Sequence, residues 1–183
     1  MFVYFLVCAR GVIEEEPLSF QAAVALLVTI TGVSQRTAEI IVSEIGTDMS
    51  RFPSAGHLCS WAGLVPGLNV SAGKRHGSKT RRGSPWLRSA LVEAAHGASR
   101  SKETYLAAQY HRLAARRGKK KAIVAVAHTI LATAYYLLKN RTAYEELGDH
   151  YFEERDKEVV GRRLVRRLEE IGYTVTVALA QAA

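Results

Sequence analysis

Apolar residues recur at helical spacing along most of this 183-residue chain, and the breaks in that spacing mark its elements. Leu18 to Ile30 reads as a buried helix. Thr31-Gly32-Val33-Ser34 turns the chain, and a second helix runs from about Gln35 to Ile45, capped by Gly46. After a connection from Asp48 to Pro53, Ser54 or Ala55 opens a short helix to Leu64, with Leu58, Trp61, Ala62 and Leu64 as its buried set. Ser84 as N-cap and Pro85 at the first helical position start the next helix, to about His96, with Trp86, Leu87, Ala90, Leu91 and Ala94 in the core. Helices over Glu103 to Arg117 and Ala122 to Leu138 follow. Tyr151 to Ile171 is one further amphipathic helix, with Val160, Leu164, Leu168 and Ile171 in register, while Tyr173 to Leu179 alternates weakly, as a short strand or nothing regular. The expected fold is mainly α: a helix-hairpin-helix-like start, then a compact helical domain with a long basic loop. Its segments are an N-terminal remnant at 1–17, the hairpin at 18–48, the helical domain at 49–147, and a C-terminal helix and tail at 148–183.

Ala122 to Leu138 carries no formal charge, so a membrane span has to be weighed. Ile123, Val126, Ala127, Ile130, Ala134 and Leu137 fall on one helical stripe, and His128, Thr129 and Thr133 interrupt the rest, which favours the core helix of a soluble domain and no membrane. His128 then reads as a hydrogen-bonded helix residue. Met1 to Ala9 is apolar but lacks a basic leader and is too short to cross a bilayer; it reads as a helix remnant or a start inside a longer frame. Glu14 to Glu16 before Pro17 suit a helix start. Cys8 and Cys59 make no Cys-x-x-Cys pair, so neither zinc nor a disulfide framework is indicated and a reducing cytoplasm fits. His57 and Cys59 read as packing residues.

Charge changes the picture more than composition does. Residues 49–144 hold seventeen basic and two acidic side chains, whereas the segments before and after are net acidic. No acidic residue lies between Asp48 and Glu93. Inside that window, Pro66-Gly67 ends a helix and a loop with Gly73, Gly77 and Gly83 carries Lys74, Arg75, Lys79, Arg81 and Arg82. Glycine lets backbone come close to a phosphate and the cations favour a polyanion, so the loop is shaped for nucleic acid; a well-solvated basic loop is the plainer alternative. Arg88 lies one turn into the following helix, on the side where the loop returns, and that helix end offers amides to a phosphate. The Gly32 turn reads either as a backbone-binding helix-hairpin-helix, with Ser34 where a second glycine usually stands, or as a plain αα-hairpin.

The order of the Gly32-Val33 hairpin, Ser60-Trp61-Ala62-Gly63-Leu64-Val65-Pro66-Gly67, Ser71-Ala72-Gly73-Lys74-Arg75, Gly83-Ser84-Pro85-Trp86-Leu87-Arg88, Lys121-Ala122-Ile123 and Tyr144 resembles the C-terminal domain of the IS110, IS116 and IS902 insertion-sequence transposases, over about residues 20–145. These are the Piv-like DEDD transposases, also called bridge-RNA-guided recombinases. The resemblance implies a two-part enzyme: an N-terminal RuvC-like domain whose four carboxylates hold divalent metal, magnesium, and a C-terminal domain whose serine joins covalently to a DNA phosphate. It implies DNA, a structured guide RNA and further copies of the chain as partners. Carried onto this sequence, the nucleophile is Ser71, whose alternative is a turn residue; Ser84 is assigned to capping and Ser78 to backbone or phosphate contact. Some members place serine and glycine adjacent, whereas here Ala72 intervenes. No strand-borne carboxylate set precedes the hairpin, so the chain is expected to lack the metal domain and to carry no cofactor of its own. The two functional expectations are therefore the serine-bearing part of a transposase and a non-catalytic nucleic-acid-binding remnant.

Overall fold

The computed structural model describes residues 18–67, 70–75, 79–155 and 157–176, with backbone alone at Val70 and Arg75. The expectations for residues 1–17, for Ser78 and Gly77, and for Val177 to Leu179 lie outside the described residues. What is described is mainly helical. Helix α1 is Phe20–Val28, capped by the Ser19 hydroxyl, and α2 is Gln35–Ile45, capped by Ser34, whose Oγ accepts from Thr37 N at 3.2 Å. A 3₁₀ turn at Met49–Arg51 interrupts the next connection, and α3 is Ala55–Trp61. Helix α4 is Pro85–Ala98, with Ser84 as its cap and Pro85 in the first turn. Helix α5 is Tyr105–Arg117 and α6 is Lys119–Asn140.

Helix α6 is the axis of the fold, packing against α1, α3, α4 and α5. It is the one helix among the described residues long and apolar enough to cross a membrane, but Ile123, Val126, Ala127, Ile130, Ala134 and Leu137 are all buried against its neighbours. The expected stripe is thus a core seam. One hydrophobic cluster contains Leu27 and Ile41 from the hairpin, Leu58 from α3, Leu87 and Leu91 from α4, and Ile130 and Leu131 from α6. Behind α6, Glu146 fixes the chain: its carboxylate accepts from the Thr31 hydroxyl at 2.8 Å and from the backbone N–H of Tyr105 at 2.7 Å. Tyr144 N–H donates to Thr29 Oγ1 at 2.9 Å, and burial, with Glu146 nearby, pushes the Tyr144 phenol above its usual range. The hairpin turn, the start of α5 and the exit of α6 are thereby tied together.

Several expectations are corrected. Trp86 is 76% exposed and Trp61 47% exposed, so neither is core. Leu87, Leu91, Ala94 and Ala98 occupy the inward face of α4, and Trp86, about 100° round the helix from Leu87, falls off it. On α3, Leu58 and Ala62 fill the inner side, and the Trp61 ring leans on Phe52 at 5.8 Å between centroids. His57 is exposed and bonds Ser54 Oγ through Nδ1 at 2.9 Å; only Cys59 of that pair is packed. On either side of residue 156, which lies outside the described residues, α7 (Tyr151–Arg155) and α8 (Lys157–Glu170) are helical as expected, but no residue of either is buried. Leu164, Leu168 and Ile171 are exposed, and residues 173–176 form no strand.

Candidate nucleic-acid interface

The long basic loop is a two-armed ribbon rather than an irregular excursion. Its arms leave α3 and return to α4 side by side. Pro66 and Thr80 form an antiparallel bridge, Gly67 N–H donates to Lys79 O at 2.9 Å, and Arg81 N–H to Val65 O at 3.4 Å. Toward the tip, β1 (Val70–Ser71) pairs antiparallel with β2 (Lys74–Arg75), with Ser71 opposite Lys74. Ala72 and Gly73 close the tip at φ 48° and 73°; positive φ at both central residues is the type I′ pattern, which matches the twist of a two-stranded hairpin. Ala72 holds a conformation that residues other than Gly, Asn and Asp seldom take.

At the base the arms converge on backbone alone. A Cβ on Gly63 would stand 2.7 Å from Arg81 O, and one on Gly83 would stand 2.3 Å from the Ala62 carbonyl carbon. Both positions therefore require glycine. Arg88 completes the base: its Nη1 donates to Thr80 Oγ1 at 2.7 Å and to Gly63 O at 3.3 Å, one acceptor on each arm. The guanidinium is half-buried and fastens the ribbon to α4.

The predicted site residues fall into two groups. Ser71, Gly73, Lys74, Lys79, Arg81 and Arg82 are exposed on the ribbon, and Arg75 lies on it with only its backbone described. Directly opposed residues of an antiparallel pair share a face, so the Lys74 ammonium is carried on the face that carries the Ser71 hydroxyl. Arg88 is beneath the ribbon in the clamp just described. Gly32 is distant from it in role: at φ 85° its α-carbon packs on the C-terminal part of α4, where a Cβ would stand 2.4 Å from Ala98 N. The helix-end amides of α4 contribute less than its sequence suggests. Pro85 has no N–H, Leu87 N–H is taken by Ser84 Oγ at 3.3 Å, and Arg88 N–H by Ser84 O.

The two exposed tryptophans were missed as candidates because their residue type and spacing both say core. In the fold they flank the ribbon base, Trp61 on the last turn of α3 and Trp86 on the first turn of α4. An exposed aromatic ring beside a row of cations is the composition of a nucleic-acid surface, since every base offers a π-face. Elsewhere, burial pushes the Cys59 thiol up to about 11, which keeps it protonated and unreactive. Among the described residues there is no group of three or more His, Cys, Asp or Glu that could hold a metal ion.

Comparison with known proteins finds similarity to an insertion-sequence transposase family and to an insertion-element protein. Residues 24–112 match the Transposase IS116/IS110/IS902 family, a span that runs from the middle of α1 through α2, the ribbon and α4 into α5. The chain is also similar to the insertion element IS110 uncharacterized 43.6 kDa protein of Streptomyces coelicolor, at 32% identity over 142 residues, which covers 74% of this chain. It spans about a third (32%) of that relative's length.

Proposed function

We propose that this chain is the serine-bearing, DNA-contacting part of an insertion-sequence transposase of the IS110 type. In this reading the ribbon lays Lys74, Lys79, Arg81 and Arg82 along a phosphate backbone, and Trp61 and Trp86 stack on bases or sugars at its base. The observation that carries it is the placement of Ser71 at the tip of a pinned ribbon with Lys74 as its cross-strand partner. A serine hydroxyl is a weak nucleophile, and an adjacent ammonium helps by offsetting charge that grows on the attacked phosphate. The step forms a Ser71 Oγ–phosphorus bond and breaks the bond from phosphorus to the leaving sugar oxygen. That oxygen gains a proton, and the serine proton passes to a base. The stretch from Asp48 to Glu93 contains no carboxylate between its ends, so a carboxylate base has to come from elsewhere. A structured guide RNA, further copies of the chain and a cytoplasmic setting belong to this reading through the family resemblance.

The test is a covalent adduct. The natural protein product is incubated with a plasmid carrying the DNA that flanks its gene, and adducts are separated on denaturing gels. A DNA-linked band that is lost in Ser71→Ala, with DNA affinity unchanged within about twofold, is expected; the 183-residue chain alone is expected to bind DNA without completing strand exchange. An adduct of equal yield in Ser71→Ala would refute Ser71 as nucleophile. Cation-dependent binding with no adduct from any preparation would leave the non-catalytic binding reading in its place.

A further inference from the structure

Two apolar surfaces stand uncovered among the described residues. One is a groove of about 560 Å³ between the two helices of the hairpin. Phe20, Val24 and Val28, four residues apart on α1, run along it in a row about 12 Å long at a rise of about 1.5 Å per residue. Gln35 and Glu39 of α2 form the facing side, and Gln35 Nε2 donates to Glu39 Oε1 at 3.1 Å, which holds the carboxylate beside the apolar row. Glu39 is the one charged side chain among the described residues that line the groove.

The other surface is on α8. Val159 and Val160 at its start line a groove shared with α5. Leu164, Leu168 and Ile171 lie beyond that groove at i, i+4 and i+7, and are 40% to 66% exposed. Their row is about 10.5 Å long on one helix face. Arg167 borders it, three residues after Leu164 and four before Ile171. Three anchors at this spacing are how an amphipathic helix seats in an apolar groove. The hairpin groove sets the chemistry of its occupant. Glu39, with no cation beside it in the lining, repels a phosphate backbone or an anionic lipid surface, and the apolar row calls for apolar side chains. An amphipathic helix with a cation along one border of its apolar row meets both demands, and α8 carries that pattern in a row of matching length.

We infer that α8 of one copy of this chain seats in the α1–α2 groove of a second copy. Leu164, Leu168 and Ile171 cover Phe20, Val24 and Val28, and the Arg167 guanidinium pairs with the Glu39 carboxylate. Every copy carries both the helix and the groove, so two copies that exchange α8 close the assembly with two identical contacts. This supplies a surface for the further copies that the family reading includes. It uses no residue of the ribbon and needs no DNA, so it stands or falls apart from the ribbon reading.

The test is sedimentation velocity of the 183-residue chain without DNA, from about 1 to 200 µM. The wild type is expected to pass from monomer to dimer within that range. Leu168→Asp and Glu39→Arg are each expected to weaken the dimer about tenfold or more. Glu39→Arg combined with Arg167→Glu is expected to recover wild-type association within about threefold, because the pair is rebuilt with its charges reversed. None of the three side chains is buried within one copy, so melting temperatures measured where monomer dominates should match the wild type and report that each variant is folded. A monomer at every concentration overturns the inference and leaves the groove to another occupant, residues 1–17 of the same chain included. A dimer that survives Leu168→Asp overturns it. So does a dimer lost in Leu168→Asp but indifferent to Glu39→Arg, which would put α8 on a different surface of the second copy. DNA binding by the ribbon is untouched by any of these outcomes.

Discussion

Ser71 owes its position to the two residues that follow it. Ala72 and Gly73 turn the chain at positive φ, and the turn places Ser71 and Lys74 opposite one another in register. Neither the pairing nor the shared face is visible in the sequence, where Ser71 is one serine among several in a basic loop. What could be read there was the chemistry of the loop: glycines for close backbone approach, cations without acids, and a capped helix start at Ser84-Pro85. Tryptophan misled, because a large apolar side chain near a helix end looks like core until the fold shows which face is inward. Trp86 decides whether that exposure has a use. Trp86→Ala is expected to leave thermal stability within about 0.5 kcal/mol of wild type, as for other exposed positions. The same change should weaken DNA binding by about 1–3 kcal/mol in titrations at fixed salt, the range for one stacked base. An unchanged affinity would reduce Trp86 to a solvent-facing residue with no part in binding.

At the scale of elements, the ribbon carries a short hairpin between α3 and α4. A two-stranded hairpin alone is marginal in water, and this one is supported at its base by the Gly63 and Gly83 contacts and by Arg88. Helix periodicity revealed α2, α4 and α6 closely, because long apolar stripes and the cap at Ser84 are local signals; the Ser34 cap of α2 was not read from the sequence. The arms were not legible: residues 65–67 and 79–81 pair across a dozen positions with no alternation of apolar and polar residues to announce it. Arg88 was placed with the nucleic-acid contacts on charge and position, and the structure shows it bonded to both arms. Arg88→Met separates the two roles. If the clamp is its main work, the variant loses about 1–3 kcal/mol of stability in urea melts and keeps the wild-type dependence of DNA affinity on salt. If instead it contacts phosphate, the slope of log affinity against log salt falls by about 0.9.

For the whole molecule, the ribbon is displayed by a helical body, the positive charge of the chain is concentrated in residues 49–144, and the central helix α6 links core to surface. Its inner seam buries Val126, Ile130 and Ala134, while its first turns supply Lys120 and Lys121 to a cavity beneath the ribbon. The central claim is that the ribbon cations engage phosphates, and salt dependence tests it most directly. DNA affinity should be measured from about 50 to 200 mM salt for the wild type and for a variant with Lys74, Lys79, Arg81 and Arg82 changed to alanine. Four released phosphate contacts predict a slope shallower by about 3–4 in log–log form, with the melting temperature preserved. An equal slope in the two proteins would contradict the account and move any nucleic-acid contact to another face.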